Sequence, residues 1–462
     1  MYYLMIVVFV LGYAAITLEH SLRVDKAGIA LVTGILCWTF YVLGMYDIVD
    51  FDAIPNYVIS LITGDMPPPE TTKLVQDYVT HHQLLEHLAE IASILFFLIG
   101  AMTIVELVDH HQGFAVITDR IKTTNRIKLL WIVGILSFFF SAALDNLTAS
   151  IVMISLLRKL IYEKQNRWFF AGIVVVAANA GGAWSPIGDV TTTMLWIGGH
   201  VTTGAIITRL ILPSLVCLVV PLVFISFRMK GTIKRPRQLQ KSSQKQLVTN
   251  FEQKLIFFCG LGGLVFVPIF KSVTHLPPFM GIMLSLGFMW LLSDILHRNK
   301  SPELRHKLSI YAALKKTDMA SVLFFLGILL AVGALQSAGQ LGALAGGLDE
   351  SIGTNTENGV YAVGLIIGLL SSVVDNVPLV AASMGMYPLA QEGLFMQDGL
   401  FWEFLAYCAG TGGSALIIGS AAGVAVMGLE KITFGWYLKN ISFLAILGYF
   451  SGAIFYIIEY SL

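Results

Sequence analysis

Long apolar runs almost free of charge constrain this sequence more than any other feature. Tyr2–Ile16, Ala27–Tyr46, Ile91–Val105, Val201–Phe227, Leu255–Phe270 and Phe443–Ile458 each carry few or no charged side chains. A helix needs roughly 20 apolar residues, about 17–25 with tilt, to cross the hydrocarbon core of a bilayer. Some of these runs reach that length alone, the others with their flanks. Only 13% of the residues are charged, against about 25% in a typical soluble domain. The chain therefore reads as a polytopic membrane protein whose first partner is the lipid bilayer.

Other classes fall away quickly. Lys and Arg total 29, as do Asp and Glu, so no net charge favours a nucleic-acid partner. Cys37, Cys217, Cys259 and Cys408 stand singly in apolar stretches without CxxC spacing, which argues against disulfide or metal chemistry. No cofactor motif is present. The N-terminus lacks the basic start and small-residue cleavage site of a signal peptide, so Tyr2–Ile16 is expected to be a retained span.

Loop charge supplies orientation, because Lys and Arg near spans stay cytoplasmic. Four loops are basic: Arg120 to Lys128, Arg158 to Arg167, Arg228 to Lys245, and Arg298 to Lys316. By contrast, Asp47–His87 holds one lysine, Lys73, several acids and Pro67-Pro68-Pro69, while Ser337–Leu400 has no Lys or Arg. The apolar segment around 129–157 thus has two cytoplasmic ends, and that around 359–390 has two external ends. Two re-entrant hairpins, one from each side, satisfy both conditions. Asp145-Asn146 and Asp375-Asn376 fall where each hairpin would turn.

The chain also repeats itself. Glu90 to Leu98 matches Asp318 to Leu326, Ser141 to Asn146 matches Ser371 to Asn376, and Gly181-Gly182 with Gly188 matches Gly412-Gly413 with Gly419, at offsets of 228, 230 and 231. Two homologous halves, 1–228 and 254–462, are expected on either side of a cytoplasmic linker at 229–253. The expected fold is all-α, with two inverted-topology repeats, each holding a re-entrant hairpin and an interrupted helix, and about 11 full spans besides the hairpins. Inverted repeats with interrupted helices at matching positions are a transporter signature.

The candidate site residues lie at those interruptions. A carboxylate in hydrocarbon is costly and functional by default, which singles out Asp145 and Asp375, although either could simply cap a helix. The run Asn179-Ala180-Gly181-Gly182-Ala183-Trp184-Ser185-Pro186-Ile187-Gly188-Asp189-Val190-Thr191-Thr192-Thr193 breaks another apolar span. It offers carbonyl, hydroxyl and carboxylate oxygens, the ligands hard cations take. Candidate cation ligands are Asp145, Asn146, Thr148, Asn179, Ser185, Asp189, Thr191 and Thr192 in the first half. Asp375, Asn376, Ser414 and Ser420 are their counterparts in the second, where Ser420 stands in place of Asp189. Glu90 and Asp318 are expected to begin matching helices, where the helix dipole favours an acid. With His200, which could titrate near neutral pH, they are the candidate proton-related groups. His81-His82 with Glu86-His87 could bind metal or sense pH, and Glu106 reads as an ordinary acid near a helix end.

Leu144-Asp145-Asn146-Leu147-Thr148 and the Gly-Gly-x-x-Ser-Pro-Ile-Gly-Asp run at 181–189 resemble the NhaD-type sodium/proton antiporters of the ion transporter superfamily, over nearly the full chain. Dicarboxylate carriers of that superfamily have Ser-Asn-Thr at both hairpin tips. Asp145 and Asp375 replace those serines here, and Asp189 ends a run that closes in Thr there. Acids at these points would repel an anionic substrate and attract a cation. The resemblance implies a homodimer in a bacterial inner membrane, acting in pH homeostasis by elevator-like alternating access. Sodium or lithium and protons would compete for Asp145 and Asp189, since neighbouring acids hold a proton more tightly than either alone. A sodium-coupled carboxylate or oxyanion carrier is one alternative. An intramembrane aspartyl protease, which also uses two membrane aspartates, is another.

Overall fold

The computed structural model describes residues 1–49, 54, 59–60, 71–118, 120–236 and 248–461. Pro67-Pro68-Pro69 and much of the expected linker, 237–247, lie outside the described residues. Among those described the chain is helical without strands, apart from isolated bridges between Asn125 and Thr232 and between Ala390 and Met396. Among the described residues eight helices are long and apolar enough to cross a bilayer, the longest being Lys73–His110, Thr203–Arg228 and Asn250–Thr274. Shorter apolar helices, among them Tyr2–Thr17, Glu357–Leu370, Asn376–Met386 and Ala421–Glu430, complete the set.

Two compact units divide the chain, and each draws on both sequence halves. The first comprises Met1–Leu95, Asp318–Thr354 and Ala381–Pro388. Its centre is the contact between the Lys26–Ile48 and Met319–Ser337 helices. A Cβ at Gly34 would collide with the carbonyl of Gly327, and one at Gly327 with the backbone of Ala30. Small residues let helix backbones approach this closely in lipid, where packing rather than hydrophobic exclusion drives association. Tyr41 donates to Gln83 Oε1 at 2.8 Å, and His87 shares a hydrogen bond with Ser337 Oγ at 3.0 Å.

Two expectations for this unit meet different outcomes. Asp318 is the N-cap of the Met319–Ser337 helix and accepts from the Ser321 amide at 3.2 Å. Glu90 begins no helix. It lies inside Leu84–His110, which continues from a π-helical turn at Tyr78–Gln83. No proline, glycine or capping side chain precedes Glu90 to stop the helix there, so the sequence match with Asp318 does not extend to the helix start. The histidines nearby do not converge either. His81 pairs with the exposed Asp77 and the half-buried His82 with the exposed Glu86, each pair one helical turn apart. Among the described residues no three His, Cys, Asp or Glu side chains gather to hold a metal.

The second unit comprises Phe96–Thr317, Asn355–Val380 and Leu389–Leu462. Its core holds Lys164–Ala183, buried throughout from Phe170 onward, and Leu400–Gly412, buried at every position. The Thr203–Arg228 and Ser442–Ser461 helices pack closely, Gly448 fitting against the carbonyl of Cys217 and Gly452 against that of Pro213. Asn125 caps Arg126–Leu144 and Thr249 closes a capping box with Glu252, so these helices begin where polar side chains satisfy their first amides.

Candidate cation site at the helix breaks

Four breaks within the second unit bring the polar residues together. The first separates Arg126–Leu144 from Asn146–Leu160 at Asp145. Asp145 has φ +86° and ψ +158°, a region essentially reserved for glycine, where other residues cost about 1–3 kcal/mol. Its carboxylate is the local compensation. Oδ1 accepts from the Thr148 amide and Oδ2 from the Thr148 hydroxyl, each at 2.8 Å. Asp375 stands likewise before Asn376–Met386 and accepts from the Val377 amide at 3.3 Å.

The second break, after Ala183, leads to Val190–Ile197, whose N-cap is Asp189. Only 2% of Asp189 is exposed. Its Oδ1 accepts from the amide and hydroxyl of Thr191, both at 3.0 Å. Its Oδ2 accepts from Asn146 Nδ2 at 2.7 Å, and Asn376 Nδ2 reaches the same carboxylate at 3.3–3.4 Å. The asparagines that follow both Asp breaks therefore meet on one carboxylate. Among the described residues no Lys, Arg or His pairs with it.

The network continues inward. Asn146 Nδ2 also donates to Asn179 Oδ1 at 3.2 Å, and Asn179 Nδ2 donates to Ser414 Oγ and Ser420 Oγ at 3.0 and 2.9 Å. Ser420 caps Ala421–Glu430 as Asp189 caps its own half-helix. Asn146, Asn179, Asp189, Thr191, Asn376, Ser414 and Ser420 thus form one connected set. Thr148 and Asp145 hold each other, and among the described residues neither side chain has a hydrogen bond into the set. Ser185 and Thr192 serve the break itself. Ser185 Oγ donates to Ala142 O at 2.6 Å, and Thr192 Oγ1 to Ser185 O at 2.8 Å, binding carbonyls that an unbroken helix would have satisfied.

The backbone around the two glycine breaks follows one plan. Ser141 Oγ donates to Ala178 O, and Ser371 Oγ to Ala409 O. A Cβ at Gly181 would strike the carbonyl of Phe138, and one at Gly412 that of Gly368. Gly182 faces the Gly188 carbonyl as Gly413 faces that of Gly419. Close backbone crossing requires glycine at these points.

A family profile described as citrate transporter matches residues 6–403. The chain is 45% identical over 461 residues to sodium/proton antiporter 1 of Arabidopsis thaliana, covering 99% of this chain and 72% of that protein. To sodium/proton antiporter 2 of the same plant it is 43% identical over 457 residues, 98% of each. To the Na(+)/H(+) antiporter NhaD of Vibrio cholerae it is 32% identical over 468 residues, covering 95% and 87%. The chain belongs to this transporter family, as a member of the NhaD type. It is a multi-pass membrane transporter and not an enzyme, which removes the aspartyl protease reading.

Within this NhaD-type chain His200 lies apart from the connected set. It is buried against Trp402, their ring centroids 4.2 Å apart, and its carbonyl accepts from the Asp398 amide. Burial pushes its imidazole down to about 4 against an opposing backbone hydrogen bond at Gly198, so the ring is neutral at pH 7 rather than poised there. Sequence reasoning missed Glu430. Its carboxylate is buried and pairs with Arg158 at 2.7 Å and Arg167 at 2.6 Å. Arg158 and Trp168 also bond the carbonyls of Leu429 and Glu430. These bonds tie the ends of the helices that begin at Asn146, Lys164 and Ala421. The available signal was one acid closing an otherwise apolar Ala421–Leu429.

Proposed function

We propose that this protein exchanges sodium or lithium for protons at a site centred on Asp189. The observation that carries the reading is the buried Asp189 carboxylate, held by Asn146, Asn376 and Thr191 and paired with no cationic side chain among the described residues. A buried carboxylate needs a counter-charge or a proton. Either guest neutralises it, so each displaces the other, and competition enforces exchange. Both asparagines carry an oxygen that amide rotation can present to a cation. Thr191 Oγ1 and the Asp145 carboxylate add the oxygen ligands a hard cation takes. The ions are substrates rather than cofactors.

The fold reading that goes with this is a pair of inverted repeats, 1–228 and 254–462 around a linker at 229–253. The paired contacts of Ser141 and Ser371, and of Gly181 and Gly412, support it at the spacing of the sequence repeat. The helix breaks at Asp145 and Asp375 would be the tips of re-entrant hairpins entering from opposite faces. The block bearing the breaks would then carry the site between the two sides in an elevator-like movement, within a homodimer that serves pH homeostasis. The names of the plant and bacterial relatives support sodium and protons as the exchanged ions.

Carboxylate transport is the second reading, favoured by the description of the matching family. Asp145, Asp189 and Asp375 oppose it, because three acids at the breaks repel an anion. Everted vesicles from cells lacking their own sodium extrusion distinguish the two. Sodium should release protons in the parent protein and not in D189N or D145N, and citrate should leave sodium uptake unchanged. Parental release in D189N removes the site, and citrate-dependent sodium uptake favours the second reading.

A further inference from the structure

A cavity of about 360 Å³ opens where the Arg126–Leu144 helix begins, Thr203–Arg228 ends and Ser442–Ser461 begins. Three cations, Arg126, Arg228 and Lys439, share its wall with Phe224, Phe443 and Leu444, and among the described residues no acid lines it. Among the described residues none of the three cations forms an ion pair with a carboxylate. Arg126 gives one guanidinium nitrogen to Asn166 Oδ1, while its buried Nε has no partner. The Arg228 guanidinium rests over the Phe224 ring, 4.6 Å from its centroid. The backbone after Arg228 is fastened along the same wall, since the Arg126 amide donates to Gly231 O and the Ile233 amide to Thr124 O.

Its surroundings place this cavity at the level of lipid head groups. It lies at helix ends flanked by basic loops, the side the charge rule makes cytoplasmic. Trp168 and Trp436 meet edge to face at 5.3 Å beside it, with Lys164 over Trp168. Trp at this position is typical of the membrane–water boundary. Phe227 and Phe443 stay 80% and 61% exposed next to the cations, an apolar rim that suits acyl chains and offers nothing to a small free anion.

We propose that this cavity binds the head group of an anionic phospholipid. The phosphate sits among Arg126, Arg228 and Lys439, and the acyl chains run over Phe443 and Phe227. Basic pockets between transmembrane helices on the cytoplasmic side are suited to anionic head groups, and each Lys or Arg near the surface contributes about 1 kcal/mol, roughly fivefold in affinity. This site is independent of the ion-exchange reading, so the failure of one leaves the other standing.

The test uses the full-length protein, delipidated in detergent and titrated with phosphatidylglycerol or phosphatidylcholine, with bound lipid counted by native mass spectrometry. One phosphatidylglycerol per chain should bind saturably, and phosphatidylcholine should not. Arg228 and Lys439 are exposed, so the R228Q/K439Q variant keeps the fold. It should bind phosphatidylglycerol roughly 25-fold more weakly, while the charge-retaining R228K/K439R variant stays close to the parent. Inorganic phosphate should not displace the lipid. Equal affinity in the parent and R228Q/K439Q, equal binding of phosphatidylcholine, or displacement by inorganic phosphate overturns the proposal.

Discussion

Asn146 donates to Asp189 at 2.7 Å, joining the break that follows Leu144 to the break that follows Ala183. A hydrogen bond to a charged group contributes about 1.5–3 kcal/mol. N146A, which removes this donor and the link to Asn179, should raise the half-saturating sodium concentration by roughly ten- to a hundredfold. N376A, whose bonds are longer at 3.3–3.4 Å, should raise it less. Sodium-induced proton release across a concentration series checks both, and an unchanged half-saturation in N146A contradicts the role.

Asp145 combines backbone strain with a carboxylate, and the two separate by mutation. D145G relieves a conformation costing about 1–3 kcal/mol, while exchanging an N-cap Asp for Gly costs only about a few tenths of a kcal/mol. Its thermal stability should equal or exceed that of the parent, with exchange lost. D145N keeps the strain and a capping oxygen, and should lose exchange without gaining stability. Thermal unfolding in detergent beside vesicle exchange reads the split. Full exchange in D145G means the position requires only an unusual backbone.

The outline of the candidate site is readable from residue types because membrane interiors punish polarity. Acids, asparagines and glycines inside apolar runs are expensive enough to be conspicuous, and Asp145, Asn146, Asn179, Asp189, Asn376, Ser414 and Ser420 all came from that contrast. What sequence could not supply was partnership. Thr148 and Thr192 look like equal oxygen donors in the sequence, yet one holds Asp145 and the other holds the backbone at Ser185 and Asp189. Glu430 looks like a helix-end acid because Arg158 and Arg167 lie more than 260 positions away. Glu90 misled in the opposite way, since its local match to Asp318 carried no information about where the preceding helix stopped.

The buried Glu430 carboxylate depends on Arg158 and Arg167. Breaking a buried ion pair from one side costs about 3–5 kcal/mol, whereas replacing all members with apolar residues is often neutral. E430A should lower the unfolding temperature markedly, and E430L with R158M and R167M should recover most of it. Thermal unfolding checks both variants. Stability unchanged in E430A shows the pair to be incidental.

His200 gives a signed dependence on pH. Its folded value of about 4 lies below the ordinary imidazole value of 6.5, so the unfolded chain binds more protons between them. The stability this group contributes is complete above pH 6.5 and is lost as pH falls toward 4, a change on the order of 3 kcal/mol. H200Q cannot titrate, and its loss of stability between pH 7 and pH 4.5, about the range concerned, should be visibly smaller. Identical pH profiles in H200Q and the parent contradict the assignment.

Sodium binding to the purified protein, followed by calorimetry across a pH series, tests competition at Asp189 most directly. The apparent dissociation constant should rise about tenfold for each unit of pH lost on the acid side, with about one proton released per sodium bound, because linkage between two ligands is reciprocal. Sodium affinity that stays constant across the series, with no proton released on binding, would mean that the two ions do not share this carboxylate.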